Sequence, residues 1–545
     1  MQSKRLFIFD FIISLGLIWP IFGRRIDLLG SEQVDVWNHA WGPWWWAHQL
    51  SEGSLPWHTN LLQGPEGGTL WFIDPILAVL GAPFALFSPA LGFGFALLLY
   101  FAFASAAIRY FARTVGAGTE TQWIASIAFV WSAWVLSEAH NGITEAVNIG
   151  PVALALGAIA SAHKESTLKK WAFAGLCIGL SAACSPYLGL GTGIVAVVFG
   201  LRHFKHAWVG ALIAAVTAIP NLMLFRLQLA AEDAIIKRPP GMNETLALHN
   251  AVDPRTFFAP FGFQSVDLSS EGFTHSLYLG LIATALMLKI IWRHPLWLMA
   301  LLISMLCALG PYLYWEDGWF VSGGARFRLP WFYLQSLFPG LAVTHPLRLG
   351  IPALAICAAF AATSLEQSNY KKHWKWVAAF MALDGLVFSG SPYPLSTANA
   401  EIPEIYQDIN NDASSGMVLD LPTDAGETMR TSRYLYYQTT HHKPIPYAPD
   451  VRASTSSLLR YGAFQELAAL CQRRADEHQR LGFGQARGQE ANVKSLAAAG
   501  VRWIVLHPDI DPSVTSTLKQ RIEADLGPAP VQQDGVLVWK LDGAR

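Results

Sequence analysis

Long apolar runs separated by short polar connections dominate the first 390 positions. Runs at 6–22, 91–112, 123–136, 147–162, 171–183, 188–201, 207–225, 276–292, 296–313, 349–365 and 374–388 carry few charges, and each reads as a membrane-spanning helix. Several are short for a perpendicular crossing, so boundaries and tilt must absorb the difference. A further apolar stretch, 71–87, is interrupted or bracketed by Asp74, Pro75, Pro83 and Pro89. Whether it crosses decides the side of every later connection.

Basic residues arbitrate, because short cytoplasmic loops carry an excess of Lys and Arg. If 71–87 stays at the outer face, Arg109/Arg113, Lys164/Lys169/Lys170, Arg202/Lys205, Lys289/Arg293 and Lys371/Lys372/Lys375 all fall inside. If it crosses, all five clusters fall outside. The expectation is a non-crossing segment, about eleven spans, a cytoplasmic N-terminus and an extracytoplasmic C-terminus in the inner (plasma) membrane. Arg24 and Arg25 are the exception, following the first span on its outer side. That first span resembles a signal peptide but lacks a small-x-small cleavage pattern, so it is expected to remain. One face then collects a large first loop, 24–90, together with 137–146, 226–275, 314–348 and everything after 389.

Composition agrees with this class. The 545 residues are 52% hydrophobic and only 14% charged, with a net charge of −1 that gives no hint of nucleic-acid binding. Four of the five cysteines fall in apolar stretches and no CxxC pattern occurs. From about position 390 the chain turns polar. Short β-branched runs begin at Met417, Val501 and Val536, and helical patterns cover 405–411, 456–477, 492–499 and 514–525. The fold expected is mainly α, a polytopic membrane part over 1–390 followed by an extracytoplasmic α/β domain over 391–545. That tail holds no Gly-rich phosphate loop, GxSxG or HExxH.

Candidate chemistry concentrates on the outer face. Asp35 heads an aromatic-rich segment with Trp37, Trp41, Trp44, Trp45 and Trp46, a density expected at a membrane–water boundary. Its carboxylate is a candidate general base, and equally a helix N-cap; Asn38 and His39 follow it as candidate acceptor contacts. The second outer loop supplies Glu138, His140 and Glu145, either as an acid/base group or as ordinary loop polarity. Arg348 opens a span from the outer side, where a guanidinium clamps phosphate or snorkels to headgroups. Arg326 and Arg328 form a second basic spot and Arg255 a weaker third. Asp10 lies near the inner end of its span and Asp384 nearer mid-span, with no matching intramembrane base evident to make an ion path.

The arrangement resembles the GT-C superfamily of integral-membrane glycosyltransferases, which includes protein mannosyltransferases and aminoarabinose transferases. The likeness lies in one span, a large outer loop with an early Asp, a second span ending in Arg109-Tyr-Phe-Ala-Arg113, and a short acidic second outer loop. Asp35-Val-Trp-Asn-His-Ala-Trp, Leu55-Pro-Trp-His-Thr-Asn, Gly64-Pro-Glu-Gly-Gly-Thr-Leu and Arg433-Tyr-Leu-Tyr-Tyr-Gln-Thr-Thr-His-His-Lys-Pro-Ile are similar to stretches of poorly characterised bacterial members. The resemblance covers roughly 1–390 and rests on architecture more than on one diagnostic string. It implies a polyprenyl-phosphate sugar donor, with Asp35 as base or acceptor contact, Glu145 (or Glu138) as the second-loop acid and Arg348 on the donor phosphate. Many members carry a paired-acid DxD-like motif; a single acid stands here. A divalent cation is thereby left open and no cofactor is assigned. The acceptor, a glycan, lipid or protein, is not specified by the sequence. Two other classes compete: a lipid or polysaccharide transporter, which predicts internal repeats that are not found, and a non-catalytic envelope-assembly protein on the same scaffold.

Overall fold

The computed structural model describes residues 2–23, 26–236, 241–259, 273–316, 318–338, 343–423, 432–448, 458, 461–471 and 492–541. Arg24 and Arg25 lie outside them, as do the ends of the helix expected over 456–477. The helices of the first part are α1 (Gln2–Ile18), α2 (Val36–Ser51), α3 (Pro75–Ala85), α4 (Pro89–Val115), α5 (Gln122–Val130), α6 (Ala133–Asn141), α7 (Thr144–Val147), α8 (Gly150–Lys164), α9 (Leu168–Cys184), α10 (Pro186–Gly200) and α11 (Phe204–Ala230). They continue as α12 (Met242–His249), α13 (Leu281–Leu288), α14 (Pro295–Ala308), α15 (Pro330–Leu337), α16 (Ile351–Glu366) and α17 (Trp374–Phe388).

Among the described residues, four helical stretches combine the length and apolarity needed to cross a membrane: Pro89–Val115, Thr144–Lys164, Pro186–Ala230 and Pro346–Glu366. The longest of them contains the three-residue 3-10 link Leu201–His203 between α10 and α11. The axis of the bundle is α16, buried at every position from Ile351 to Leu365, with α4, α5, α13 and α14 packed around it. At the periphery, α9 and α11 approach closely because Gly175 faces Gly210, where a Cβ would meet the Gly210 carbonyl at 2.1 Å. The outward flank of α11 leaves Trp208, Leu212, Val216, Ile219, Met223 and Leu227 exposed, an apolar surface suited to lipid or a partner protein.

Two apolar runs are not single helices. The run over 123–136 breaks at Ser132, whose hydroxyl caps α6 by accepting from the Val135 amide at 3.3 Å. Within 276–292 only Leu281–Leu288 is α-helical, because Gly280 at φ +86° turns the chain just before it. The helix start then uses Asp384: its Oδ2 accepts from the Leu281 amide at 2.8 Å and its Oδ1 from the Tyr278 hydroxyl at 3.0 Å. A mid-span acid with no basic partner is thus an N-cap supplied by a neighbouring helix.

The polar tail holds α18 (Ile405–Asn411), α19 (Ser432–His441), α20 (Gly462–Leu470) and α21 (Pro512–Leu526). Its four-stranded sheet runs Val531–Gln533, Val536–Lys540, Val501–Leu506, Met417–Leu421. The first two contacts are antiparallel and the last is parallel. The tail is stitched by backbone to the segment between α1 and α3. Leu28–Leu29 pairs antiparallel with Thr397–Ala398, and Ile445 N donates to Leu61 O at 2.8 Å while Gly64 N donates to Ile445 O at 2.9 Å.

Candidate functional site

The long segment between the first two apolar helices is built on α2, and its tryptophans are not where their density suggested. Trp37, Trp41 and Trp45 are fully buried and Trp44 nearly so, so the expected membrane-interface belt is replaced by protein packing. The tail helix α19 covers them. Trp41 Nε1 donates to Gln438 Oε1 at 3.0 Å, Trp37 packs against Tyr436 with rings tilted by 53° and centroids 5.5 Å apart, and the Arg433 guanidinium lies 5.4 Å over the Trp37 ring. Gln438 Nε2 donates in turn to Leu61 O at 2.6 Å. An indole finds its hydrogen bond in a neighbouring element as readily as in water, so tryptophan content alone does not distinguish the two.

Fixing α2 presents Asp35 and His39, one turn apart on one helical face. Asp35 occupies the N-cap position, but its side chain makes no capping bond; Asn38 Nδ2 reaches its Oδ1 at 3.4 Å. His39 is buried and enters a chain of contacts that ends at Arg348. Its Nδ1 lies 2.7 Å from Thr144 Oγ1, and its Nε2 lies 3.5 Å from Glu145 Oε2. Glu145 Oε1 accepts from Arg348 Nη1 at 2.9 Å. The Arg348 guanidinium also sits 5.3 Å over the Tyr187 ring. Tyr187 contacts Thr344 Oγ1 at 2.5 Å, and Thr344 contacts His345 Nδ1 at 2.8 Å. Arg348 lies in the 3-10 turn Pro346–Gly350 that leads into α16, held there by Pro346 at the turn's start.

Asp74 completes the group, although the sequence marks it only as an interruption of an apolar run. As N-cap of α3 it accepts from the Leu77 amide at 3.1 Å; Tyr100 donates to the same oxygen at 2.8 Å, and Thr144 Oγ1 lies 2.7 Å from Oδ2. Complete burial outweighs these bonds and, with Glu145 nearby, pushes its carboxyl up to about 7. Burial likewise lowers His39, with Glu145 opposing and Arg348 assisting. An Asp-Pro dipeptide heading an apolar run was the available signal.

Of the other predicted residues, Glu138 lies close enough for its charge to act on Arg348, and the rest scatter. Glu138 is fully buried, its Oε1 2.5 Å from His275 Nδ1 and its Oε2 without a hydrogen-bond partner. His140 Nδ1 meets Ser396 Oγ at 3.1 Å, at the root of the tail. Arg326 and Arg328 stand on an exposed hairpin, stacked over Trp319 at 5.1 Å and Phe332 at 4.6 Å. Among the described residues no hydrogen bond or ion pair joins either to Arg348 or Glu145. Arg255 pairs with Asp253, Nη2 to Oδ2 at 2.6 Å. Asp10 does not face an interface: it is buried in a two-point ion pair with Arg109, one of the residues read as an inner-face cation. No three of His, Cys, Asp and Glu among the described residues are grouped to hold a metal ion.

No family profile and no curated protein matches the sequence. Solved structures do match the fold. ArnT from Cupriavidus metallidurans, bound to undecaprenyl phosphate, superposes with a TM-score of 0.52 at 11% identity, over 98% of this chain and 97% of that one. The mycobacterial arabinofuranosyltransferase AftD gives 0.50 at 13% identity, over 93% of this chain and 37% of its own. The oligosaccharyltransferase AglB of Archaeoglobus fulgidus, in complex with an inhibitory peptide and a dolichol-phosphate, gives 0.48 at 12% identity, over 96% and 72%. The chain is therefore a mainly helical membrane protein. Its fold is shared with ArnT and AftD.

Proposed function

We propose that this protein transfers a sugar from a polyprenyl-phosphate-linked donor to an extracytoplasmic acceptor. The observation that carries the reading is the Glu145–Arg348 pair beside His39: a buried guanidinium at the head of an apolar helix, with one N–H used by Glu145 among the described residues. A phosphate oxyanion answers the remaining guanidinium donors, and a neighbour of the same fold was solved with undecaprenyl phosphate.

In this reading Asp35 takes the proton of the acceptor hydroxyl as that oxygen bonds to the anomeric carbon. The bond from that carbon to the donor phosphate breaks, and Arg348 stabilises the charge arriving on the phosphate. Arg326 and Arg328 attract the anionic donor from the surface, and Glu145 orients Arg348, with the Glu138 charge acting on the same guanidinium. Asn38 and His39 border the acceptor side. The eleven-span topology, the cytoplasmic N-terminus, the inner-membrane location and the division into a membrane part, 1–390, and an extracytoplasmic α/β domain, 391–545, belong to the same proposal.

Purified full-length protein with a radiolabelled polyprenyl-phosphate sugar tests it. Asp35→Asn is expected to lose about 10²- to 10⁴-fold in transfer, the range of general-base catalysis, and Arg348→Ala to raise the KM for donor. Unchanged transfer by both variants overturns the assignment.

A further inference from the structure

Between Asp74 and His39 stands a single hydroxyl. Thr144 Oγ1 lies 2.7 Å from Asp74 Oδ2 and 2.7 Å from His39 Nδ1, and a hydroxyl has only one proton to give. It must donate to one neighbour and accept from the other. All three side chains are buried, so no competing water is required at this point of the chain. On the far side of the ring, His39 Nε2 faces Glu145 Oε2 at 3.5 Å.

We infer that Asp74 and Thr144 form a proton relay to His39, which sets the ring nitrogen that carries the proton facing the Glu145–Arg348 centre. In the loaded state Asp74 Oδ2–H donates to Thr144 Oγ1, the Thr144 hydroxyl donates to the Nδ1 lone pair, and Nε2–H points to Glu145. When Nε2 gives its proton to a group at the centre, the Asp74 O–H and Thr144 O–H bonds break while a new Thr144 O–H and an Nδ1–H form. Asp74 is left as a carboxylate accepting from Thr144, and Nε2 holds a lone pair. One proton has left the Nε2 side and one has left Asp74 to replace it in the ring, with no change of oxidation state.

The surroundings favour the loaded state at rest. Tyr100 from α4, Glu145 from α7 and Cys184 from the end of α9 face Asp74 together with the Leu77 amide, and Glu145 and Arg348 face His39. Burial holds Asp74 protonated up to about 7 and keeps His39 neutral. Asp74 and Thr144 are positioning residues in this scheme. Only the use of the proton in sugar transfer rests on the function proposed above.

The test is nitrogen NMR of full-length protein with ¹⁵N-labelled histidine, the His39 signals being assigned by their loss in His39→Gln. In wild type, raising pH through about 7, where Asp74 ionises, is expected to exchange the two ring signals, from protonated Nε2 to protonated Nδ1. Thr144→Ser keeps the hydroxyl and should keep the exchange. Asp74→Asn, which donates permanently to Thr144, and Thr144→Val, which lacks the hydroxyl, should each abolish it. No exchange in wild type, none in Thr144→Ser, or an unchanged exchange in Asp74→Asn or Thr144→Val overturns the relay. No donor or acceptor is needed, so an intact exchange in a protein that transfers no sugar counts against the glycosyltransferase reading alone.

Discussion

Two buried arginine–carboxylate pairs in this protein use the same chemistry to different ends. In the pair between α1 and α4, Arg109 Nε reaches Asp10 Oδ1 at 3.0 Å and Nη2 meets Oδ2; Ser105 adds a hydroxyl at 2.5 Å, and the guanidinium lies 4.5 Å over Trp123. Both carboxylate oxygens are engaged. In the pair between α7 and the turn before α16, Arg348 meets Glu145 through one nitrogen, and Glu145 Oε2 has no hydrogen bond, only His39 at 3.5 Å. Fully answered charges act as a clamp. The second pair is held at one point and leaves the guanidinium's other donors to a further partner.

The largest expected effect breaks the clamp. Arg109→Met strands the Asp10 charge and should cost about 3–5 kcal/mol of stability, whereas the double change Asp10→Asn with Arg109→Met should recover most of it. Unfolding temperatures in one detergent measure both, and an Arg109→Met protein as stable as wild type would put the two pairs in one class. Next comes Glu145→Gln, which keeps the shape and one acceptor for Arg348. Sugar transfer should fall about 10²-fold, with a smaller drop in unfolding temperature than Arg109→Met gives. Loss of stability without loss of transfer would reverse the contrast.

The smallest effect is a pH slope. With its folded pKa raised to about 7, Asp74 binds a proton that the unfolded chain, near 3.9, has already released. Its stabilising contribution is complete below about pH 4 and is lost as pH rises to about 7, at no more than about 1.4 kcal/mol per unit. Unfolding temperatures measured at pH 5 and pH 7 should therefore differ more in wild type than in Asp74→Asn.

Much of this was legible along the chain. Apolar runs gave the positions of most helices, Ile405–Asn411 appears where its pattern placed it, and Glu145 and Arg348 stood out as an acid and a base at the ends of apolar runs. Their partnership was not legible, since 203 positions separate them. Nor was that of Asp10 and Arg109, 99 positions apart. Asp10 read as an acid without a matching base because its cation lay on another helix. The tryptophans of α2 read as a membrane belt because an indole is served equally by an interface and by a Gln438 that arrives 397 residues later.

The sequence by itself determined which segments leave water and where the chain turns polar, because periodicity and hydropathy are local and add along the backbone. Only the tertiary structure decided which buried charges are answered and which are not. A hydrogen bond depends on distance and direction between side chains carried by separate helices, and packing alone brings Asp74, Thr144, His39, Glu145 and Arg348 into one chain of contacts.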